Sequence, residues 1–240
     1  MNPVITYFPI RGRAEPIRLI LEEVSIPYDE NRVQLRDWKT LKPSMPFKAL
    51  PCYQEGDLTI VESRAVCRYL ARKYQLYGSS EDKMIRCDIL DEAIRDAETA
   101  LGGLFWDADF DSKQESFKKK QLVFSLRNFE NYLASYPRSP EYCVGNAITF
   151  VDFVLWNYLD WVRAFSYETL LQFPILMTIK TAVEARPNIQ TYLRSSRRPS
   201  TITVPMAMFT EVLDLAVASI GLRMANPAFM ALEATISPGR

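Results

Sequence analysis

The feature that most constrains this sequence is the separation of its strand-forming segments from its long helical patterns. Short β-branched and aromatic runs occur only before residue 62, and the apolar patterns beyond residue 83 have a helical period. The predicted strands lie at 4–8, 28–33, 50–54 and 58–61. The last two flank a turn at Gly56, which predicts an antiparallel hairpin. Helices are predicted at 14–24 and 63–73 among these strands. This βαβ then ββα order predicts an α/β region, a small mixed sheet with helices, followed by an all-α helical bundle.

The second region contains a series of helical patterns. They cover residues 83–104, 113–134, 150–165, 175–185 and 189–194. Thr149 and Asp152 form a capping box at the start of one of them. We therefore predict domains at 1–78 and 83–203, joined by a polar linker, and an extension at 204–240 with a helix at 205–224.

Composition excludes several classes of protein. Lys plus Arg and Asp plus Glu number 29 each, so the formal net charge is zero and a nucleic-acid partner is not expected. Histidine is absent, which removes the commonest general base and metal ligand. The four cysteines lack CxxC spacing, so we expect reduced, packed thiols and no metal. Charges interrupt the apolar runs, which argues against a signal peptide or membrane span and favours a cytoplasmic protein.

A group of motifs in the first 80 residues is specific when taken together. They are Tyr7-Phe8-Pro9-Ile10-Arg11-Gly12-Arg13, Asp37-Trp38 with Lys42, Leu50-Pro51, and Glu62-Ser63. With these motifs the sequence resembles the cytosolic glutathione S-transferases, and it looks most like the sigma class, which includes glutathione-dependent prostaglandin D synthases. The resemblance implies a thioredoxin-like domain that binds glutathione as co-substrate, a helical domain that contributes to the second substrate's pocket, and a homodimer.

Tyr7 and Arg13 are the predicted catalytic residues. A free thiol such as that of glutathione has a pKa of about 8.5, so only a few per cent is thiolate at neutral pH. A phenol at the end of the first strand can donate a hydrogen bond to the sulfur and favour its charged form. Arg13 and the positive end of the following helix act in the same direction. Outside this motif, Tyr7 would be an ordinary strand aromatic.

The resemblance assigns the rest of the glutathione site residue by residue. Ser63 at a helix start would hold the γ-glutamyl carboxylate, and Glu62 would accept from its ammonium. Glu62 is a departure, since many sigma enzymes carry Gln there. The remaining predicted contacts are Trp38, Lys42, Lys48, Ala49, Leu50, Pro51 and Asp96 of the partner subunit.

Three pairs of those residues correspond to particular positions in the family. Leu50-Pro51 matches a turn in which a cis proline exposes the preceding backbone to the cysteinyl group. Trp38 and Lys42 match residues that cover the glycyl end. Lys48 and Ala49 stand where sigma proteins often carry Gly and a longer polar residue, respectively, so one side-chain contact is expected to be missing.

The second substrate is expected to be a hydrophobic electrophile. Its predicted pocket comprises Phe8, Ile10, Leu101, Phe105 and Trp106, although helical aromatics are more often core. The sequence therefore predicts a transferase that conjugates glutathione to hydrophobic electrophiles, with glutathione-dependent peroxidase or prostaglandin isomerase activity as further options. A non-catalytic ligandin or crystallin-like binding protein and a scaffold that kept only the fold are the alternatives.

Overall fold

A computed structural model describes residues 2–203, and the predicted helix at 205–224 lies outside the described residues. The described chain forms two compact units. The sheet unit comprises residues 2–14, 28–63 and 199–203, and the helical unit comprises Glu15–Pro27 and Arg64–Arg198.

The secondary structure follows the predicted order. The strands are β1 (Val4–Tyr7), β2 (Asp29–Arg32), β3 (Cys52–Glu55) and β4 (Leu58–Val61). The helices are α1 (Glu15–Glu23), α2 (Leu35–Leu41), α3 (Ser63–Lys73), α4 (Glu81–Phe105), α5 (Phe110–Phe117), α6 (Val123–Ala134), α7 (Phe150–Leu170), α8 (Pro174–Glu184) and α9 (Pro187–Leu193). Short 3₁₀ helices cover Gly12–Ala14 and Lys42–Ser44, and a π-helical turn covers Lys118–Leu122. Among residues 2–203, every helix is too short or too polar to span a bilayer.

The sheet has the order β2-β1-β3-β4. β1 runs parallel to β2 and antiparallel to β3, and β3 and β4 form the predicted antiparallel hairpin. Gly56 in the hairpin turn has φ +58°, a left-handed conformation that glycine adopts without steric cost. Ile5 and its register partner Tyr53 are fully buried. Tyr7 is the last residue of β1, and the loop that follows it leads into the 3₁₀ helix Gly12–Ala14.

Several helix boundaries differ from the sequence prediction. α4 begins at Glu81, inside the predicted linker, because the Ser80 hydroxyl accepts a hydrogen bond from the Lys83 amide at 3.4 Å and caps the helix. The predicted helix at 113–134 is divided by the π-helical turn. α7 continues to Leu170 through Ser166, whose backbone is not helical.

The core of the helical unit is built around α7, whose side chains from Phe150 to Val162 are buried. The predicted capping box starts this helix. Asp152 accepts from the Thr149 amide at 2.7 Å, from the Thr149 hydroxyl at 2.9 Å and from the Cys143 amide at 2.6 Å. These bonds satisfy donors that would otherwise be buried without a partner.

A network of buried charges also lies within the helical unit. Glu15 accepts from Arg18 at 3.0 Å, from the Tyr192 hydroxyl at 3.1 Å and from Arg198 at 2.9 Å. Arg198 also pairs with Asp160 at 3.0 Å. Because Glu15 and Arg18 are fully buried, these partners offset the cost of removing the charges from water.

Candidate functional site

The hydroxyl of Tyr7 is held by the loop that follows β1. Tyr7 is 7% exposed, and its hydroxyl accepts a hydrogen bond from the Arg13 amide at 3.1 Å. A hydroxyl that accepts from an N–H becomes a stronger donor, because the two bonds polarise each other. The Arg13 side chain is exposed. The sequence motif thus becomes a fixed phenol at the C-terminal end of β1, an inner strand of the sheet, with the 3₁₀ helix Gly12–Ala14 supporting it.

Gly12 makes this approach of the loop to the phenol sterically possible. Its φ is +44°, and a Cβ at this position would lie 2.6 Å from the Tyr7 hydroxyl oxygen. This distance is much shorter than a van der Waals contact between carbon and oxygen. A side chain at this position would therefore displace the phenol or the loop. The sequence placed Gly12 only within the motif that follows the first strand, whereas the structure gives it a positioning role.

The same loop is hydrogen-bonded to residues 199–202 of the sheet unit. The amides of Arg11 and Gly12 donate to the carbonyls of Thr201 and Ile202 at 2.9 and 2.8 Å. The Arg11 guanidinium donates to the carbonyls of Pro199 at 2.9 Å and Ser200 at 2.7 Å. Sequence reasoning missed this arrangement, because nothing local connects residues nearly 190 positions apart.

The loop before β3 has the backbone that the resemblance implies. The Leu50–Pro51 peptide bond is cis, Leu50 is half-buried and Pro51 is buried. Lys48 has φ +54°, and its ammonium donates to the Pro43 carbonyl. Ala49 is exposed. The lysine therefore contacts its own loop, and the Leu50 backbone remains the predicted glutathione contact here.

The start of α3 presents the other predicted contacts. Ser63 is the first residue of the helix and is half-buried, and Glu62 before it is exposed with φ +68°. A left-handed conformation is uncommon for a non-glycine residue and is often found at ligand sites. The first amides of a helix lack intrahelical acceptors and attract anions. A carboxylate subsite at Ser63 is consistent with this local structure.

Phe8 links the phenol to α2 through aromatic contacts. Its ring centroid lies 5.6 Å from those of both Tyr7 and Trp38, the latter in an edge-on arrangement. Trp38 is 3% exposed, so most of its indole packs in the sheet unit. Lys42 is half-buried at the C-terminal cap of α2.

The remaining predicted residues belong to the helical unit. Asp96 lies on α4 with an exposed side chain. Leu101 is fully buried and Phe105 is 5% exposed, and Phe105 packs on Phe110, Trp161 and Phe165. Trp106 is half-buried at the end of α4. Within this unit, Leu101 and Phe105 are core residues.

A cavity of about 390 Å³ opens beside Phe8 in the sheet unit. It is lined by Phe8, Pro9, Ile10, Gln34, Leu35, Arg36 and Thr201. Phe8 and Ile10 were predicted to line the electrophile pocket. The other five residues were not predicted as lining. Pro9 lies between Phe8 and Ile10, whereas Gln34, Leu35 and Arg36 at the start of α2 and Thr201 are distant in sequence, and no local pattern marks them.

The four cysteines are free thiols and all are buried. Burial raises the pKa of Cys52, next to the cis proline, and raises the pKa values of Cys67 and Cys87 to about 12. Burial also raises the pKa of Cys143. Protonated, inaccessible thiols are poor nucleophiles. Among residues 2–203, His, Cys, Asp and Glu side chains form no cluster suited to a metal ion. A thiolate reaction at this site therefore needs a sulfur from a bound ligand.

Comparison with known proteins agrees with these features. The sequence matches the family models of the glutathione S-transferase N-terminal domain over residues 3–72 and C-terminal domain over residues 95–196. It is 33% identical to a glutathione S-transferase of Dirofilaria immitis, over 80% of this chain and 92% of that protein. It is 32% identical to glutathione S-transferase P 1 of Xenopus laevis, over 81% and 93%.

A solved structure shares the fold. The Pi-class glutathione S-transferase of Onchocerca volvulus superposes with a TM-score of 0.76 at 32% identity, covering 80% of this chain and 92% of that one. This similarity confirms the predicted fold class, a thioredoxin-like domain followed by a helical domain. The chain belongs to the glutathione S-transferase family, a family of enzymes whose co-substrate is glutathione.

Proposed function

We propose that this protein binds glutathione in its sheet unit and transfers the glutathione thiolate to hydrophobic electrophiles. The observation that carries the proposal is the Tyr7 hydroxyl, which accepts a hydrogen bond from the Arg13 amide. Gly12 has no side chain and so leaves room for this hydroxyl. An O–H polarised in this way stabilises an adjacent thiolate more than the neutral thiol, and this lowers the thiol pKa. Lowering that pKa by two units requires about 2.7 kcal/mol.

The other site residues act on binding in this proposal. Ser63 and the α3 amides hold the γ-glutamyl carboxylate, and Glu62 holds its ammonium. The backbone of Leu50, before the cis proline, pairs with the cysteinyl group. Trp38 and Lys42 cover the glycyl end, and Asp96 approaches from a partner subunit. The exposure of Glu62 and Asp96 and the helix start at Ser63 support these roles.

Several narrower assignments belong to the same proposal. They are the domain boundaries 1–78 and 83–203, a homodimer, residence in the cytosol, and Trp106 in the electrophile pocket. Leu101 and Phe105 are left out of that pocket because they are core residues. Sigma-class membership, with peroxidase or prostaglandin isomerase activity, is a further option. Curated relatives that carry class names include P and Mu enzymes, and the sigma assignment is supported by the sequence motifs.

The test combines turnover with a titration of the bound thiol. We expect the protein to conjugate glutathione to 1-chloro-2,4-dinitrobenzene, and Tyr7→Phe to lower kcat/KM about 100- to 1,000-fold, as loss of one positioned donor does elsewhere. Thiolate absorbance of bound glutathione, followed against pH, should show a pKa below 8.5 that rises in the Tyr7→Phe protein.

Tyr53→Phe is the matched control, since it removes a phenol from the neighbouring strand of the same sheet. Its kcat/KM should stay within about twofold of the parent value. Glutathione binding with no Tyr7-dependent turnover would instead favour the ligandin alternative. Absence of glutathione binding would leave only a scaffold with the family fold.

A further inference from the structure

The cavity beside Phe8 has mostly apolar walls and a single charged side chain. Phe8, Pro9, Ile10 and Leu35 supply the apolar part, and Gln34, Arg36 and Thr201 complete the lining. The volume of about 390 Å³ accommodates a substituted aromatic ring or a short acyl chain. Of the residues that line this cavity, Arg36 alone carries a charge.

The wall formed by Thr201 is fixed in place. Its carbonyl accepts from the Arg11 amide at 2.9 Å, and the Arg11 guanidinium holds the two preceding carbonyls. Leu35 and Arg36 begin α2, whose Trp38 packs edge-on against Phe8. The cavity is therefore bounded by elements that are tied to each other within the sheet unit.

The guanidinium of Arg36 is available to a ligand. Its ion-pair partner is Asp37, with 3.8 Å between Nε and Oδ1, and the two side chains are 85% and 64% exposed. An exposed pair at this distance contributes little, so exchanging it for a ligand anion costs little. Arginine binds a carboxylate through two parallel N–H donors, which fixes the orientation of the bound group. Gln34 adds an amide donor at the same edge of the cavity.

We propose that the electrophile this site prefers is an apolar molecule that carries a carboxylate, with its apolar body against Phe8, Ile10 and Leu35 and its carboxylate on Arg36. This inference rests on the proposed transferase function and adds the substrate class. A neutral electrophile uses the same walls without the ion pair, so Arg36 sets preference between substrates and is not a catalytic residue.

A pair of aryl chlorides that differ only in charge tests the preference. The anionic member is 4-chloro-3-nitrobenzoate and the neutral member is its methyl ester. In both reactions the glutathione sulfur forms a bond to the ring carbon that bears chlorine, the carbon–chlorine bond breaks, chloride leaves and the thiol proton passes to solvent. The measured quantity is kcat/KM for the acid divided by kcat/KM for the ester, at saturating glutathione, in the full-length protein.

We expect Arg36→Gln to lower the acid-to-ester ratio about fivefold, the upper range for an exposed ion pair, because kcat/KM falls further for the acid than for the ester. Added salt should lower the ratio in the parent protein and leave it constant in the variant, since screening acts on the ion pair. The matched control is Lys39→Gln, which removes a positive charge from the same helix at a residue outside the cavity lining. The control should leave the ratio within about 1.5-fold.

The outcomes separate the inference from the function on which it rests. An unchanged ratio in Arg36→Gln, or an equal fall in Lys39→Gln, overturns the substrate preference while ester turnover upholds the transferase. If the parent protein conjugates neither compound, and 1-chloro-2,4-dinitrobenzene is also inert, the proposed function itself fails.

Discussion

In the sheet unit, several residues of the site or its supporting loops lie at chain turns with positive φ angles. The helical unit instead contains buried carboxylates that accept several hydrogen bonds each. Gly12, Lys48 and Glu62 have positive φ values, and the Arg13 and Glu62 side chains are exposed. In contrast, Asp152 and Glu15 are completely buried, and each accepts three hydrogen bonds.

This difference suggests a division of work between the two units. A buried carboxylate that satisfies several donors contributes to the free energy of unfolding, because its loss leaves those donors without partners. A polar group on a turn gives little to stability and remains accessible to a ligand. Substitutions in the helical unit should therefore change stability with little effect on catalysis per folded molecule. Substitutions in the sheet loops should do the reverse.

The substitution Gly12→Ala should have the largest effect and should act on catalysis. The added methyl group meets the Tyr7 hydroxyl and displaces it, so we expect kcat/KM to fall about 100-fold, as when a positioned donor is lost. The matched control is Gly56→Ala, which has a similar φ but no atom within 4 Å of the new Cβ. Both variants should lose about 1 kcal/mol of stability from the positive φ.

Steady-state kinetics and urea unfolding of the two glycine variants measure the contrast. Equal activity in both would mean that the loop does not position the phenol. A loss in both would mean that backbone strain, and not the contact with Tyr7, controls activity.

The substitution Asp152→Ala should act on stability. It leaves the Thr149 and Cys143 amides and the Thr149 hydroxyl without their acceptor, so we expect a loss of about 3 kcal/mol in the free energy of unfolding. Chemical denaturation measures the loss, with the exposed Glu141→Ala in the preceding loop as control. A marked fall in kcat/KM of the folded variant would contradict the division between the units.

A smaller effect is expected from Arg11→Gln, which removes the guanidinium bonds to residues 199 and 200 but keeps both backbone bonds of the loop. We expect a loss of about 1 kcal/mol in stability, since each lost bond contributes modestly. KM for the electrophile should rise while kcat stays the same, because a cavity wall loosens and the phenol does not move. An altered pKa of bound glutathione in this variant would mean that the segment also affects Tyr7.

The smallest effect is expected when the protein is treated with iodoacetamide at pH 8. With pKa values of about 12, Cys67 and Cys87 hold about one part in ten thousand as thiolate at that pH. Burial raises the pKa of the other two thiols as well. Mass spectrometry should find the native protein unmodified and active, and find all four thiols labelled in urea. Raising the pH to 9 should not change the native result for Cys67 and Cys87, since pH 9 remains well below their pKa values.

Fast labelling of Cys52 with loss of activity would contradict this expectation. It would also mean that a reactive protein thiol lies beside the cis proline. The glutathione sulfur would then not be the only thiolate at this site.

Much of the local structure was predictable from the sequence, because it depends on neighbouring residues. The β-branched and aromatic run at 4–8 predicted β1, the turn around Gly56 predicted the hairpin, and Thr149 with Asp152 predicted the start of α7. The position of Tyr7 at the end of β1 followed from the same reasoning. Capping and turn formation involve residues within four positions of each other, so both can be predicted from the sequence alone.

Tertiary structure decided the features that join distant parts of the chain. The hydrogen bonds between Arg11 and residues 199–201, the closeness of Gly12 to the Tyr7 hydroxyl, and the burial of Glu15 with Arg198 depend on contacts across 5 to 189 positions of sequence. The cavity lined by Phe8, Arg36 and Thr201 arises in the same way. A charged residue is normally exposed, and only the folded chain supplies the partners that make its burial, or its use in a site, favourable.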